Sequence, residues 1–236
     1  MTTEVFKIVI KDNLSRVQEN IEKALIRSGR MEDEVTLIAV TKTVEADVIN
    51  EAISLGIDNI GENKVQEINR KYDSINGNVN WHMIGHLQSN KVKYIIDRVS
   101  LIHSLDRLSL AKEIDKRAKA NNLIKDVLIQ VNVAEEESKF GLKLEKVIPF
   151  IESVLEYENI RVKGLMTMAP FAQNPKEVRF VFRDLRNLGL EIEKRHYKNV
   201  EMKYFSMGMT NDYEIAIEEG ANMVRIGTAL FGKRVY

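Results

Sequence analysis

Cysteine is absent from the 236 residues, which excludes disulfides, thiolate nucleophiles and cysteine-held metals or clusters. Proline is scarce at 3 residues and glycine numbers 12. No stretch has the composition of a linker, so one domain over residues 1–236 is expected. An excess of either charge is also missing, because Lys+Arg 35 balance Asp+Glu 35. A chain without a positive field is a poor general binder of nucleic acid. No run approaches the roughly 18 apolar residues that span a bilayer. The opening MTTEVFKIVIKDNLSRVQEN carries Lys and Asp where a signal peptide would keep an apolar core. These absences lead to the expectation of a soluble cytoplasmic protein with no membrane partner. What is present is ordinary globular composition, 44% hydrophobic and 30% charged.

The arrangement of those apolar residues is more telling. From about Val5 to Arg27, Ile8, Val9, Leu14, Val17, Ile21 and Leu25 recur at helical spacing. After this opening helix, short β-rich runs alternate with amphipathic ones. The runs Val35–Thr41, Asn59–Gly61, Trp81–Gly85, Leu101–Ser104, Val127–Val133, Val162–Met168, Tyr204–Met207 and Met223–Gly227 read as strands. Helical patterns fall at Ala46–Ser54, Lys64–Tyr72, Arg107–Ala120, Leu144–Leu155 and Glu177–Leu188, with a further helix at about Asp212–Glu219. Strands separated by helices pair in parallel. Either an open doubly wound sheet or a closed (β/α)8 TIM barrel satisfies that order, and the α/β class is common to both. Eight strand runs, with no G-x-G-x-x-G turn after the first, favour the barrel. The extra N-terminal helix either covers one end or flanks the side.

Barrel chemistry sits at the C-terminal ends of the strands. In Val35-Thr-Leu-Ile-Ala-Val-Thr-Lys42, counting by two puts Ile38, Val40 and Lys42 on one face. An amine rising from an apolar floor is desolvated, its pKa falls, and the neutral form attacks aldehydes to give a Schiff base. At the other end of the chain, Ser206-Met-Gly-Met-Thr-Asn-Asp212 and Arg225-Ile-Gly-Thr228 close the last two strands. Barrels often hold phosphate there, on backbone N–H groups and hydroxyls, with glycine allowing close approach. Ser206, Gly227 and Thr228 are the phosphate candidates, and Asn211 with Glu214 forms a capping-box pattern. An amine facing a phosphate cradle suits a ligand with both an aldehyde and a phosphate. Pyridoxal 5′-phosphate (PLP) is one, and a phosphorylated sugar aldehyde or ketone is another.

The segments Ala39-Val-Thr-Lys-Thr43, Gly61-Glu-Asn-Lys64, Trp81-His-Met-Ile-Gly-His-Leu-Gln88, Gly164-Leu-Met-Thr-Met168, Ser206-Met-Gly-Met209 and Arg225-Ile-Gly-Thr-Ala-Leu-Phe-Gly232 together resemble the pyridoxal phosphate homeostasis protein family. The resemblance runs in order over nearly the whole chain and departs at Thr41, where the family often has Ser. It implies a barrel like the N-terminal domain of alanine racemase, with Lys42 holding PLP as an internal aldimine. It also implies that Ser206, Gly227 and Thr228 grip the phosphate while Arg225 faces the pyridine nitrogen. A guanidinium cannot accept that proton, so the ring stays unprotonated and is a weaker electron sink. The implied role is vitamin B6 homeostasis in a monomer, with apo-PLP enzymes or amino acids as further partners.

Asn63 ends the second strand and is placed to line the mouth; His86 follows Gly85 and borders the same region; Met166 is placed to pack beside the ring. His82 and His86 are four apart, but in a strand context without an adjacent carboxylate, so metal binding is not expected. His103 reads as structural, and the charged run from Ala134 to Lys139 reads as a solvated loop. The alternative to a carrier is a PLP-dependent amino-acid racemase. That reaction needs a second base across the substrate, which alanine racemases supply as a tyrosine from an additional domain. This chain ends at Tyr236, with no such domain expected. A Schiff-base aldolase would need a strand-end carboxylate, and only Glu62 is near.

Overall fold

The computed structural model describes residues 3–232. Eight parallel strands close into a barrel in sequence order: β1 (Thr36–Val40), β2 (Asn59–Glu62), β3 (Asn80–Met83), β4 (Leu101–Leu105), β5 (Lys125–Val131), β6 (Ile160–Thr167), β7 (Val200–Met209) and β8 (Met223–Ile226). Closure is made by β1 against β8, with Thr36 opposite Met223 and Ala39 opposite Ile226. The barrel is therefore of the expected class, and the open sheet is excluded. Around it lie α1 (Thr3–Arg27), α2 (Ala46–Ser54), α3 (Val65–Lys71), α4 (Leu108–Ala120), α5 (Leu144–Val154), α6 (Arg179–Glu193), α7 (Tyr213–Glu218) and α8 (Thr228–Phe231). A 3-10 segment, Ser89–Tyr94, stands between β3 and β4 where a full helix would normally cross.

The helices form because their apolar residues repeat at three and four and meet the outer face of the sheet. In α6, Val181, Phe182, Leu185, Leu188 and Ile192 are buried. A methyl at Gly189 would lie 2.3 Å from the Phe205 ring of β7, so only glycine lets the two elements approach this closely. Inside the barrel, Ile38, Leu101, Leu128, Met166 and Met223 pack as a separate apolar layer. None of the helices in the described residues is long and apolar enough to cross a membrane.

The N-terminal helix flanks the barrel rather than capping an end. It packs against α2, α7 and α8, and Asn13 Nδ2 donates to Leu230 O at 3.0 Å. Because α8 is a single turn within the described residues, α1 fills the place in the outer ring that an eighth helix would take. Its buried stripe is Ile10, Leu14, Val17, Ile21 and Ala24, a four-three repeat. Ile8 and Val9, which the spacing assigned to the buried face, are exposed.

Candidate functional site

The site is built where β1, β6, β7 and β8 end. A cavity of 460 Å³ opens there, lined by Val40, Lys42, Ala169, Phe171, Met209, Thr210, Asn211, Asp212, Arg225, Gly227 and Thr228 among others. Of the residues singled out in the sequence, Lys42, Arg225, Gly227 and Thr228 come together on this one cavity. Asn63, His86, Met166 and Ser206 are not among those lining it.

Lys42 stands just past β1 on a turn rather than on the strand's inner face, and it is exposed. The burial expected of it from alternation along β1 is therefore not found, because the strand ends at Val40. The turn itself is tightly held. Thr41 N–H donates to Gly61 O at 3.0 Å, and Thr41 Oγ1 donates to Glu62 Oε1 at 2.8 Å. Lys71 Nζ donates to Glu62 Oε1 at 2.7 Å and to Thr41 O at 2.9 Å. This ion pair is almost wholly buried, Lys71 1% and Glu62 0% exposed, so it lies in a medium where charge pairs are strong and costly to break. The following residue, Thr43, holds φ at 63°, a left-handed conformation unusual for a β-branched side chain.

The phosphate-end loops lie deeper along the chain than the sequence suggested. β7 runs on to Met209 rather than stopping at Met207, so Ser206 lies three residues before the strand's end, buried and turned into the barrel. Its Oγ meets Arg225 Nη1 at 2.5 Å and His103 Nδ1 at 3.0 Å. Ser206 is therefore fully engaged beneath the cavity, and the hydroxyls at the cavity are those of Thr210 and Thr228. Thr210 Oγ1 accepts from Ala229 N–H at 3.3 Å, tying the two loops together. Thr210, which the sequence reading did not single out, carries the first hydroxyl past the end of β7 and lines the cavity.

The capping box at Asn211 does not form. Asp212 is the N-cap, its Oδ1 accepts from Met209 N–H at 2.6 Å, and Glu214 is drawn off by Arg27 at 2.9 Å. Burial lifts the Asp212 carboxyl, while the Met209 N–H and Arg225 pull it back down. Gly208, at φ 94°, lets this loop press on α7, where a methyl would sit 2.7 Å from Ala216 Cβ.

Arg225 lies at the cavity floor, buried, with Nη1 donating to Ser206 O at 2.8 Å and Nη2 to Thr167 O at 2.8 Å. Burial pushes its pKa down to about 10, so it stays cationic at neutral pH. Arg225, Lys42 and Lys139 face a single acidic residue, Asp212, so the cavity is positive on balance and favours an anion. Lys139 reaches it because the run after β5 folds back: Asn132 Nδ2 donates to Glu136 O at 2.8 Å, and Leu142 N–H to Gln130 O at 2.9 Å. The loop is thus anchored rather than simply solvated.

The remaining candidates lie around this centre. His86 stacks on Phe140 at 3.8 Å between centroids, its Nδ1 is 3.8 Å from Asp106 Oδ2, and burial lowers its pKa. Asn63 has its Oδ1 buried without a partner, as does Glu62 at Oε2. Met166 belongs to the apolar layer under the site. Among the described residues no cluster of His, Cys, Asp or Glu could hold a metal, and His82 pairs with His103 instead.

The alanine racemase N-terminal domain model matches residues 13–235. The pyridoxal phosphate homeostasis protein of Aquifex aeolicus is 50% identical over 226 residues, covering 95% of this chain and 98% of that one. A solved protein of unknown function from Bifidobacterium adolescentis superposes with a TM-score of 0.92 at 32% identity, covering 98% and 97% of the two chains. PipY of Synechococcus elongatus, solved with PLP bound, superposes with a TM-score of 0.82 at 28% identity, over 94% of this chain and all of that one. A closed barrel with an amine and an anion-favouring cradle on one mouth, matched across its length in sequence and shape, identifies the chain as a member of the pyridoxal phosphate homeostasis protein family, built on the alanine racemase N-terminal domain.

Proposed function

We propose that this protein binds PLP and serves vitamin B6 homeostasis in the cytoplasm as a reversible holder, without a catalytic cycle of its own. The observation that carries the reading is the shared cavity: Lys42 and the Thr210/Gly227/Thr228 cradle open onto the same 460 Å³ space.

The lining residues fit the group. PLP supplies an aldehyde electrophile conjugated to a pyridine ring. Lys42 provides the amine that bonds to it as a Schiff base. Thr210 and Thr228 offer hydroxyls on the cavity wall beside Gly227. Val40, Ala169, Phe171 and Met209 supply apolar contact for a ring. A methyl at Gly227 would meet only Val40, at an ordinary 3.4 Å. The protein itself therefore tolerates a larger residue there, and the position's openness serves approach from the cavity. Arg225, donor only and cationic, would face the ring nitrogen and leave it unprotonated.

A racemase-like enzyme is the competing reading. The cavity lining includes no tyrosine: Tyr213 OH accepts from Asn20 Nδ2 of α1, and Tyr204 packs on the interior apolar layer. Two measurements separate the readings. Protein loaded with PLP should show a visible absorbance band that disappears in Lys42→Ala. Incubation with D- and L-amino acids should give no turnover in α-hydrogen exchange with solvent, and sustained exchange would establish the enzyme instead.

A further inference from the structure

Behind Arg225 a chain of buried polar groups crosses the barrel interior. Arg225 Nη1 meets Ser206 Oγ at 2.5 Å, Ser206 Oγ meets His103 Nδ1 at 3.0 Å, His103 Nε2 meets His82 Nδ1 at 3.0 Å, and His82 Nε2 meets Asn59 Oδ1 at 2.9 Å. The far end of the chain orients its hydrogens. Asn59 Nδ2 donates to Asp58 Oδ1 at 2.7 Å, so Asn59 Oδ1 accepts from His82 Nε2–H. In a neutral ring His82 Nδ1 is then an acceptor, and His103 donates to it from Nε2. A neutral His103 accepts at Nδ1 from the Ser206 O–H, while Ser206 Oγ accepts from Arg225, which has only donors.

All the hydrogens thus point away from the cavity, toward Asp58. A second proton on His82 would set its Nδ1–H against the His103 Nε2–H, and burial disfavours the charged form of both rings. The charged groups facing the pair are Asp58 on the His82 side and Arg225 on the His103 side.

We infer that His103 and His82 are positioning residues for Arg225: as neutral Nε2–H tautomers they draw the Ser206 hydroxyl inward, which makes Ser206 Oγ the acceptor that fixes the guanidinium and withholds that hydroxyl from the cavity's ligand. Ser206 is then part of the support for Arg225 and not a phosphate ligand. Arg225 uses three hydrogen bonds on Ser206 and Thr167, and of its five donor hydrogens the other two stay free for a ring acceptor. The ligand arm of this inference rests on the reading that PLP occupies the cavity, whereas the tautomer arm does not.

The test therefore has two arms. In ligand-free protein with 15N-labelled histidine, long-range proton–nitrogen correlations at neutral pH should show His82 and His103 as neutral Nε2–H tautomers. Ser206→Ala should leave His103 an Nε2–H tautomer but shift its Nδ1 resonance toward that of an acceptor without a donor, and Ser206→Thr should restore it. An Nδ1–H or charged His103 in the wild type, or a His103 Nδ1 resonance unmoved in Ser206→Ala, overturns the inference. In the second arm, Ser206→Ala should weaken PLP and phosphate-free pyridoxal by the same factor, roughly tenfold for one lost charge-assisted hydrogen bond. A loss confined to PLP would assign the hydroxyl to phosphate and overturn the inference. Should the wild type bind neither aldehyde, the proposed function fails while the first arm still decides the chain.

Discussion

Lys42 owes its place to its neighbours. Thr41 on one side is held by Gly61, Glu62 and Lys71, and Thr43 on the other holds φ at 63°, so a flexible side chain springs from a rigid turn. Such strain at one residue is typical of functional sites and is sustained by the surrounding structure. The cradle opposite depends on Gly227 for access rather than for conformation, since a methyl there meets Val40 at 3.4 Å and nothing closer. Gly227→Ala is therefore expected to fold with its melting temperature nearly unchanged while PLP affinity falls by about tenfold or more, measured by fluorescence or absorbance titration; unchanged affinity would place the phosphate elsewhere. The sequence revealed the residue types of this site better than their positions. Lys42, Arg225, Gly227 and Thr228 were recognisable because each follows or closes a clear strand. Ser206 lies beneath the cavity rather than on its lining, where the register of β7 against β8 shifts between Ser206 and Met209, and no strand pattern in the sequence discloses that shift.

At the scale of elements, the buried Glu62–Lys71 pair joins β2 and α3 to the end of β1. Removing one partner of a buried pair leaves an uncompensated charge and typically costs about 3–5 kcal/mol. Lys71→Met should lower stability by an amount of that order in urea denaturation and also slow or weaken capture of PLP, because Thr41 O and Glu62 lose their donor. A variant as stable as the wild type would show that the pair does not clamp the turn. No periodicity disclosed this pair: Lys71 reads as a polar helical residue, and only tertiary contact between two elements buries it. The α1 helix was legible as an element from its apolar repeat, but its place was not. Its flank against α7 and α2 depends on α8 being too short to occupy that part of the ring. Leu14→Ala in its buried stripe should cost about 2–3 kcal/mol, as for other large-to-small changes in cores. A loss below 1 kcal/mol would mean the helix is only loosely docked.

For the whole molecule, eight strand runs, most of them followed by a helical pattern, and the lack of a G-x-G-x-x-G turn favoured the barrel over an open sheet, because parallel strands joined by helices have few ways to close. What the sequence did not disclose is that the interior carries a polar chain as well as an apolar layer. That chain gives stability a pH dependence. Burial pushes His82 down to about 4 and His103 well below its ordinary range, whereas in the unfolded chain both titrate near 6.5. Between those values the unfolded state binds more protons, so stability is full above about pH 6.5 and declines as the pH falls toward 4. His82 alone accounts for about 3 kcal/mol of loss at the lower limit. Thermal melts across this range should show that decline, and His82→Gln should flatten it; a melting temperature constant from pH 7 to pH 4 would contradict the neutral, buried pair. The most direct measurement for the molecule as a whole is borohydride reduction of protein incubated with PLP, followed by mass mapping of its peptides. One phosphopyridoxyl group is expected, on Lys42. Label on another lysine, such as Lys139 at the same cavity, or no label at all, would contradict it.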